Sequence, residues 1–439
     1  MTLREGSLVP LAATLLVGAV AALLDMTIVA VGIDVLQHEM RASVATIQWV
    51  TTAYVLAMTT VIPLVGWSVG RFGARAMWLT SLTLFLLGSV LCGLAWSAES
   101  LIAFRVVQGF GGGMILPLNQ LVMARAAGPD RLGRVMSVGG LVGQLAPITG
   151  PVLGGLLIDT LGWQWIFFLN VPLVLISLAM TLRWFPADGE RADQPLDSVG
   201  LVLLPTAVVA LLYSLEGDHP GALPALVTGL VLLTVFVART LRRGTGLIDL
   251  TLFANRSFRG GAVMMFVLGV TTWGPMFLLP LYYQQAQGLS AGDTGLLLAL
   301  QSIGLASALP FTGRLVDRLA PRPLAATGLA IAVAGTVPFA LGADEVLLGA
   351  ALVVRGVGFG LGSLPIMVTI YRSVPSPSIP DATSAANVIQ RIGAATGTAL
   401  MALILQSGGF APALVWMLVF TGIALTATVL LPGHRAERL

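Results

Sequence analysis

The chain has 439 residues, of which 56% are hydrophobic and only 10% are charged, and its net charge is +3. Because soluble domains carry about 25% charged residues, this composition excludes a soluble globular protein. The basic residues are dispersed arginines with no aromatic groove between them, which argues against nucleic-acid binding. The single cysteine excludes a disulfide within the chain.

Fourteen stretches are long and apolar enough to cross a bilayer, since a spanning helix needs roughly 20 mostly apolar residues. The apolar runs are continuous rather than alternating, so they predict helices and not the strands of a barrel. The sequence therefore predicts an all-α membrane protein without a soluble catalytic domain. The predicted spans cover residues 9–31, 47–67, 76–96, 99–124, 135–158, 164–184, 198–215, 222–240, 259–283, 293–313, 323–341, 346–370, 382–406 and 410–432.

The arginines predict how the chain is oriented. If the N-terminus is cytoplasmic and the spans alternate, nearly all loop arginines lie on the cytoplasmic side and only Arg41 lies outside. This asymmetry follows the positive-inside rule. We therefore expect both termini in the cytoplasm.

Two parts of the sequence resemble each other. The stretch 101–118 has a counterpart in 351–368, and the loop GWSVGRFGAR (66–75) has one in GRLVDRLAPR (313–322). Such repeats are typical of secondary transporters, which bind substrate near the membrane midplane. The sequence predicts an N-terminal six-helix bundle, a linker with an inserted helix hairpin and an interfacial segment, and a C-terminal six-helix bundle, at 1–184, 185–258 and 259–439 respectively.

Seven short motifs carry a resemblance to a known family. They resemble, in order, motifs of the fourteen-span drug:proton antiporter family of the major facilitator superfamily. The resemblance implies the major facilitator fold and a proton-coupled antiporter in a bacterial cytoplasmic membrane that exports lipophilic drug-like compounds by alternating access, as a monomer without a cofactor. The motifs are LDMTIVAVGID (24–34), GWSVGRFGAR (66–75), FRVVQGFGGG (104–113), APITGPVLGG (146–155), GWQWIFFLNVP (162–172), LPLYYQQAQGLS (279–290) and SAANVIQRIGAATG (384–397).

Asp25 and Arg105 are predicted at comparable depth in spans that the resembling fold places together. A carboxylate at membrane depth is costly and by default indicates function. A nearby arginine favours the ionised carboxyl group and a dry apolar pocket favours the neutral one, so a cavity that wets and closes could move a proton. A permanent ion pair between two helices is the other interpretation. Asp34, near His38 and Glu39, either guards an exit path or ends its helix in water.

A substrate cavity is predicted from polar, aromatic and basic residues within the spans. The aromatic residues are equally consistent with interface anchors. Arg355 and Arg391 have no obvious acidic partner in the C-terminal bundle, so they either bind an anionic substrate group or support the structure. The predicted cavity residues are Tyr282, Gln284, Gln108, Trp273, Gln301, Asn387, Arg355 and Arg391.

Two further groups follow from the motifs. Small residues of the fifth span favour close helix packing, and by resemblance they form an antiporter motif of Gly150, Pro151, Gly154 and Gly155. By resemblance, a cytoplasmic gate contains Gly66, Arg71, Gly73, Arg75, Asp317 and Arg318. The family has an aspartate where this chain has Gly70, and Asp381 is the candidate to replace it.

Several function classes remain to be compared. The chain has no lysine and no phosphate-binding loop, which argues for secondary transport rather than transport driven by ATP. A dedicated exporter of one natural product or organic anion in the same fold is the main alternative. A membrane enzyme or sensor is a remote one, because no metal motif or paired intramembrane carboxylates are present. The expected partners are a small lipophilic substrate, protons and the lipid bilayer.

Overall fold

The computed structural model describes residues 5–128, 131–187, 197–214, 221–243 and 249–433. All regular elements in these ranges are helices, which confirms the predicted all-α architecture. Seventeen α-helices follow one another: α1 (Glu5–Val31), α2 (Ile33–Glu39), α3 (Val44–Val61), α4 (Leu64–Phe72), α5 (Ala74–Gly93), α6 (Ala98–Ala127), α7 (Leu132–Leu161), α8 (Trp165–Phe168), α9 (Asn170–Trp184), α10 (Ser198–Ser214), α11 (Ala222–Arg243), α12 (Arg256–Leu281), α13 (Ala291–Val316), α14 (Pro321–Ala340), α15 (Glu345–Arg372), α16 (Ile379–Gly408) and α17 (Phe410–Ala427).

The helices account for most of the predicted spans. Within the described residues, 11 helices are long and apolar enough to cross a membrane, and α3 and α4 together make a twelfth. Helix α7 covers another predicted span, whereas the apolar part of α10 is shorter, at Ser198–Leu211. The count of fourteen spans therefore remains a prediction.

The second predicted span is broken. Helices α3 and α4 meet at an angle of 55°, at Ile62 and Pro63. Proline has no backbone N–H and its ring clashes with the preceding turn. The physical reason for the break was therefore present in the sequence, although the prediction treated 47–67 as one helix.

The chain divides into two compact units. The first contains residues 1–128 and 145–205, and the second contains 129–144 and 206–439. In the first unit, α1 packs on α9, and α6 packs on α3 and α5. In the second, α12 packs on α16, and α15 packs on both α13 and α14. The three-part division predicted from the sequence stays a prediction.

Glycines allow the helices to approach closely within each unit. A Cβ atom on Gly88 of α5 would lie 2.5 Å from the backbone of Gln108 on α6. In the second unit, Gly356 of α15 packs against the carbonyl group of Gln301 on α13. Small residues at helix interfaces have this effect in membranes. The contact at Gly88 fixes the part of α6 that carries the buried polar residues described next.

Candidate functional site

Asp25 lies near the C-terminal end of α1 and is fully buried. Its Oδ2 accepts a hydrogen bond from Arg105 Nη1 on α6 at 2.6 Å. Its Oδ1 accepts from Gln108 Nε2 at 2.8 Å and from Asn170 Nδ2 on α9 at 2.9 Å. One charged donor and two neutral donors thus surround the carboxylate, which compensates for its loss of hydration.

Arg105 is held by more than its ion pair. The same Nη1 donates to Gln108 Oε1 at 2.6 Å, and Nε donates to the carbonyl oxygen of Val50 on α3 at 3.1 Å. The guanidinium lies 3.8 Å from the centre of the Tyr54 ring, within the range of a cation–π interaction. These contacts fix Arg105 to α3 as well as to α1.

Ser89 and Asn170 complete this buried polar cluster, which consists of Asp25, Ser89, Arg105, Gln108 and Asn170. Ser89 Oγ on α5 accepts from Gln108 Nε2 at 2.8 Å and from Asn170 Nδ2 at 3.3 Å. Asn170 Oδ1 is buried and has no hydrogen-bond partner within the part of the chain that the structure describes. The cluster therefore contains an unused acceptor next to the carboxyl group.

The hydrogen bonds of Asp25 depend on whether its carboxyl group is ionised. Protonation of Asp25 would remove the negative charge that Arg105 pairs with and would turn one carboxyl oxygen into a donor. The contacts that would change join α1, α6 and α9. The hydrogen bonds of one carboxyl group thus link three helices.

The cluster contains three predicted site residues in mutual contact, Asp25, Arg105 and Gln108. Gln108, predicted to line the substrate cavity, is fully buried. Sequence reasoning missed Ser89 and Asn170. The side chain of Asp34 lies outside the described residues.

Arg355 occupies a different environment in the second unit. It is fully buried, donates from Nη1 to Gln301 Oε1 at 2.5 Å and from Nη2 to the carbonyl oxygen of Thr271 at 3.0 Å. Its guanidinium also lies 4.9 Å from the centre of the Phe359 ring. Within the described residues, Arg355 has no carboxylate partner, and its Nε makes no hydrogen bond. Two predicted cavity residues, Arg355 and Gln301, are therefore in contact.

The other predicted cavity residues are spread over the second unit. Tyr282 is buried, and its hydroxyl accepts from Gln287 Nε2 at 2.7 Å. Gln284 and Trp273 are exposed. Asn387 and Arg391 are half-buried on α16.

The predicted antiporter motif packs within the first unit. Gly150 of α7 lies against the Thr27 side chain, and Gly154 lies against Ile28. Gly155 has open space where a Cβ would lie. The side chain of Pro151 lies outside the described residues. The motif thus places α7 against the part of α1 that directly follows Asp25 in the sequence.

Asp317 makes the clearest contacts among the predicted gate residues. Its Oδ1 accepts from Arg372 Nη2 on α15 at 2.8 Å and from the backbone N–H of Gly133 at 2.9 Å, while Oδ2 accepts from the N–H of Arg134 at 3.2 Å. The two N–H groups belong to the first turn of α7, where helices are positively polarised. Asp317 therefore ties α13 to α15 and caps α7 within the second unit.

The remaining gate residues lie on or beside α4, α5, α13 and α16. Gly66 is buried, and Gly73 ends α4 with a φ of 94° that favours glycine. Arg75 donates to the carbonyl oxygen of Leu182 at 3.2 Å. Arg71 and Arg318 are exposed and Asp381 is half-buried.

Comparison with known proteins decides the family. The model of the Major Facilitator Superfamily matches residues 15–398. The chain belongs to the major facilitator superfamily. This membership makes it a multi-pass membrane transporter of small molecules rather than an enzyme, and it confirms the family resemblance.

Two curated relatives and one solved structure are similar along most of the chain. The "Multidrug resistance protein B homolog" of Mycobacterium tuberculosis (strain ATCC 25618 / H37Rv) is 36% identical over 401 residues, which cover 88% of this chain and 74% of that protein. The "Lincomycin resistance protein LmrB" of Bacillus subtilis (strain 168) is 27% identical over 419 residues, covering 92% and 87%. The structure of the human organic anion transporter MFSD10 (TETRAN) matches with a TM-score of 0.73 at 14% identity and covers 96% of this chain and 99% of that one. That structural likeness supports the major facilitator fold alone.

Proposed function

We propose that this transporter is a proton-coupled antiporter that exports lipophilic drug-like compounds across the bacterial cytoplasmic membrane by alternating access. The names of the relatives support the substrate class, since one is called a multidrug resistance protein and another a lincomycin resistance protein. In this proposal the protein is a monomer. Both of its termini lie in the cytoplasm, as its arginine distribution indicates. The antiporter motif and the Asp317 contacts act in the conformational change.

The buried carboxylate of Asp25 carries the proposal of proton coupling. Among the residues whose burial the structure describes, Asp25 is the one carboxylate that is buried. Intramembrane carboxylates are typical of proton relays. If the Asp25–Arg105 ion pair served only to hold two helices together, apolar side chains would do so at a lower desolvation cost. The presence of an ion pair therefore favours a functional role.

The proposed coupling uses the two states of the cluster. With Asp25 ionised, Arg105, Gln108 and Asn170 hold α1, α6 and α9 together. With Asp25 protonated, the charge-assisted bond, about twice as strong as a neutral one, is lost and α1 is held less tightly. Proton binding would then shift the balance between conformations, as any ligand with unequal affinity for two states does.

Export assays in cells test this function. Cells that overproduce the protein are compared with empty-vector cells on a panel of toxic lipophilic compounds, with and without a protonophore. The proposal predicts resistance that the protonophore abolishes and that Asp25→Asn abolishes at equal protein level. Asp293→Asn is the matched control, because Asp293 is an exposed carboxylate in the first turn of α13. Resistance that survives both the protonophore and Asp25→Asn would contradict the proposal.

The environment of Arg355 favours a second candidate, a dedicated exporter of an organic anion. Within the described residues, this buried guanidinium lacks a carboxylate partner, and an anionic group on a substrate would supply one. Export of carboxylate-bearing compounds but not of neutral ones, lost in Arg355→Gln and retained in Arg242→Gln, would support this candidate. Arg242 is exposed near the end of α11 and serves as the control for loss of charge.

A further inference from the structure

The second unit contains a cavity of about 560 Å³ that the proposed transport mechanism does not use. It lies where α12 and α14 begin and where the chain continues beyond α17. Three arginines border it, Arg256, Arg259 and Arg322, and all three are exposed. The site therefore combines a concave surface with a high density of positive charge.

The positive charges of this cavity are not neutralised within the described residues. None of the three arginines forms an ion pair there, and the lining contains no acidic side chain. The one polar contact described for them is a long hydrogen bond from Arg259 Nη1 to the carbonyl oxygen of Phe253 at 3.4 Å. Three neighbouring guanidinium groups repel one another, so an anion bound among them would be stabilised.

Helix α14 adds to the positive potential. It begins at Pro321, and no side chain caps its first turn. The N–H of Arg322 therefore lies in an uncapped first turn, at the positive end of the helix dipole. Pro321 and Pro323 have no backbone N–H, so Arg322 supplies the one N–H among the first three residues of α14. A phosphate group there would still lie at the positive end of the helix dipole, and one guanidinium group can donate two parallel hydrogen bonds to its oxygens.

The adjacent wall of the cavity is apolar. Val263, Val429 and Leu430 line it and are 42%, 59% and 45% exposed, respectively. In a membrane transporter such side chains contact acyl chains. A soluble anion would use the arginines alone, whereas a lipid would use both surfaces.

We propose that this cavity binds the phosphate headgroup of an anionic phospholipid, with the acyl chains along Val263, Val429 and Leu430. Basic pockets between helix ends are known to suit such headgroups. Neither Asp25 nor Asp317 lines this cavity. Its occupancy would anchor the start of α12 and the start of α14 at the membrane surface.

Native mass spectrometry of the purified full-length protein in detergent tests this site. Phosphatidylglycerol, phosphatidylcholine and glycerol 3-phosphate are titrated separately. The triple variant Arg256→Gln/Arg259→Gln/Arg322→Gln is compared with Arg183→Gln/Arg242→Gln/Arg314→Gln, which loses the same charge at exposed positions outside the cavity. The proposal predicts that the first triple variant lowers the affinity for phosphatidylglycerol on the order of 100-fold, while the control stays close to wild type.

Three results would overturn the lipid assignment. Equal losses in both triple variants would mean that net charge alone attracts the lipid. Equally tight binding of phosphatidylcholine would remove the role of headgroup charge, and equally tight binding of glycerol 3-phosphate would identify a soluble anion instead. If the triple variant does not fold, Arg322→Gln alone is expected to weaken phosphatidylglycerol binding about fivefold, and an unchanged affinity would count against the site.

Discussion

Exchange of the buried ion pair for neutral side chains should separate its structural role from its transport role. Arg105→Met removes the charged partner of Asp25 and leaves the carboxylate with two neutral donors, Gln108 and Asn170. Because removal of one partner from a buried pair leaves an uncompensated charge, we expect a loss of about 3–5 kcal/mol in the free energy of unfolding.

Asp25→Asn should cost less than Arg105→Met. The Arg105 guanidinium keeps its hydrogen bonds to Gln108 Oε1 at 2.6 Å and to the Val50 carbonyl oxygen at 3.1 Å, and it keeps its contact with the Tyr54 ring. We expect a loss of about 1–3 kcal/mol, in the range for a broken hydrogen bond to a charged group. The double variant buries no charge, so its loss should be smaller than the sum of the two single losses by about 2–3 kcal/mol.

Unfolding in mixed micelles, followed by the fluorescence of the nine tryptophans, measures these losses. The cycle of Asp317→Asn and Arg372→Met is the control, because that pair is less deeply buried, at 12% and 18% exposed, and is expected to show a smaller coupling than the Asp25–Arg105 pair. Losses at Asp25 and Arg105 that add within about 0.5 kcal/mol would refute the reasoning. We expect the double variant to regain stability but not transport.

Three further predictions concern other parts of the molecule. Gly88→Ala should lower the melting temperature and the yield of folded protein, because the added Cβ would clash with the backbone of α6. Gly155→Ala is the control, since its Cβ would lie in open space. Equal effects of the two substitutions would contradict the packing argument. Asn170→Leu should lower the transport rate at equal protein level, because it removes one of the donors that hold the Asp25 carboxylate. An unchanged rate in liposome assays would remove Asn170 from the coupling. Asp317→Asn, and more weakly Asp381→Asn, should shift the population towards the inward-open state. Distances between spin labels on cytoplasmic helix ends measure this shift, and unchanged distances would contradict the gate role.

The sequence allowed the helices and the Asp25–Arg105 contact to be predicted, for identifiable reasons. Long apolar runs leave the backbone no alternative to helices in a bilayer. The depth of the two charges in their spans, with the resembling fold, placed them together. Charged side chains are conspicuous in apolar spans because their burial without a partner is so costly.

The neutral members of the cluster could not be predicted in the same way. Ser89 and Asn170 lie in apolar spans where a single neutral polar residue has many acceptable partners. The position of Asn170 in GWQWIFFLNVP was visible, but nothing local to the motif indicates a contact with α1. Gln108 lies three residues after Arg105, so their contact across one helix turn was the available signal.

The contacts of Asp317 also depend on tertiary structure. The resemblance indicated a gate role for this residue, but its partners lie on other helices, at Arg372 and at the first turn of α7. A helix N-terminus attracts a carboxylate by its polarity alone, which leaves no sequence pattern that identifies the partner. Such a contact can be found only once the helices are placed.

Proton release from liposomes that contain the purified transporter tests proton coupling by Asp25 most directly. The protein is reconstituted with a pH-sensitive dye, and a compound identified in the resistance panel is added to wild type, Asp25→Asn and the control Asp293→Asn. The account predicts proton release by wild type and by Asp293→Asn, and none by Asp25→Asn although it still binds the compound. Proton release of wild-type size from Asp25→Asn would contradict the account.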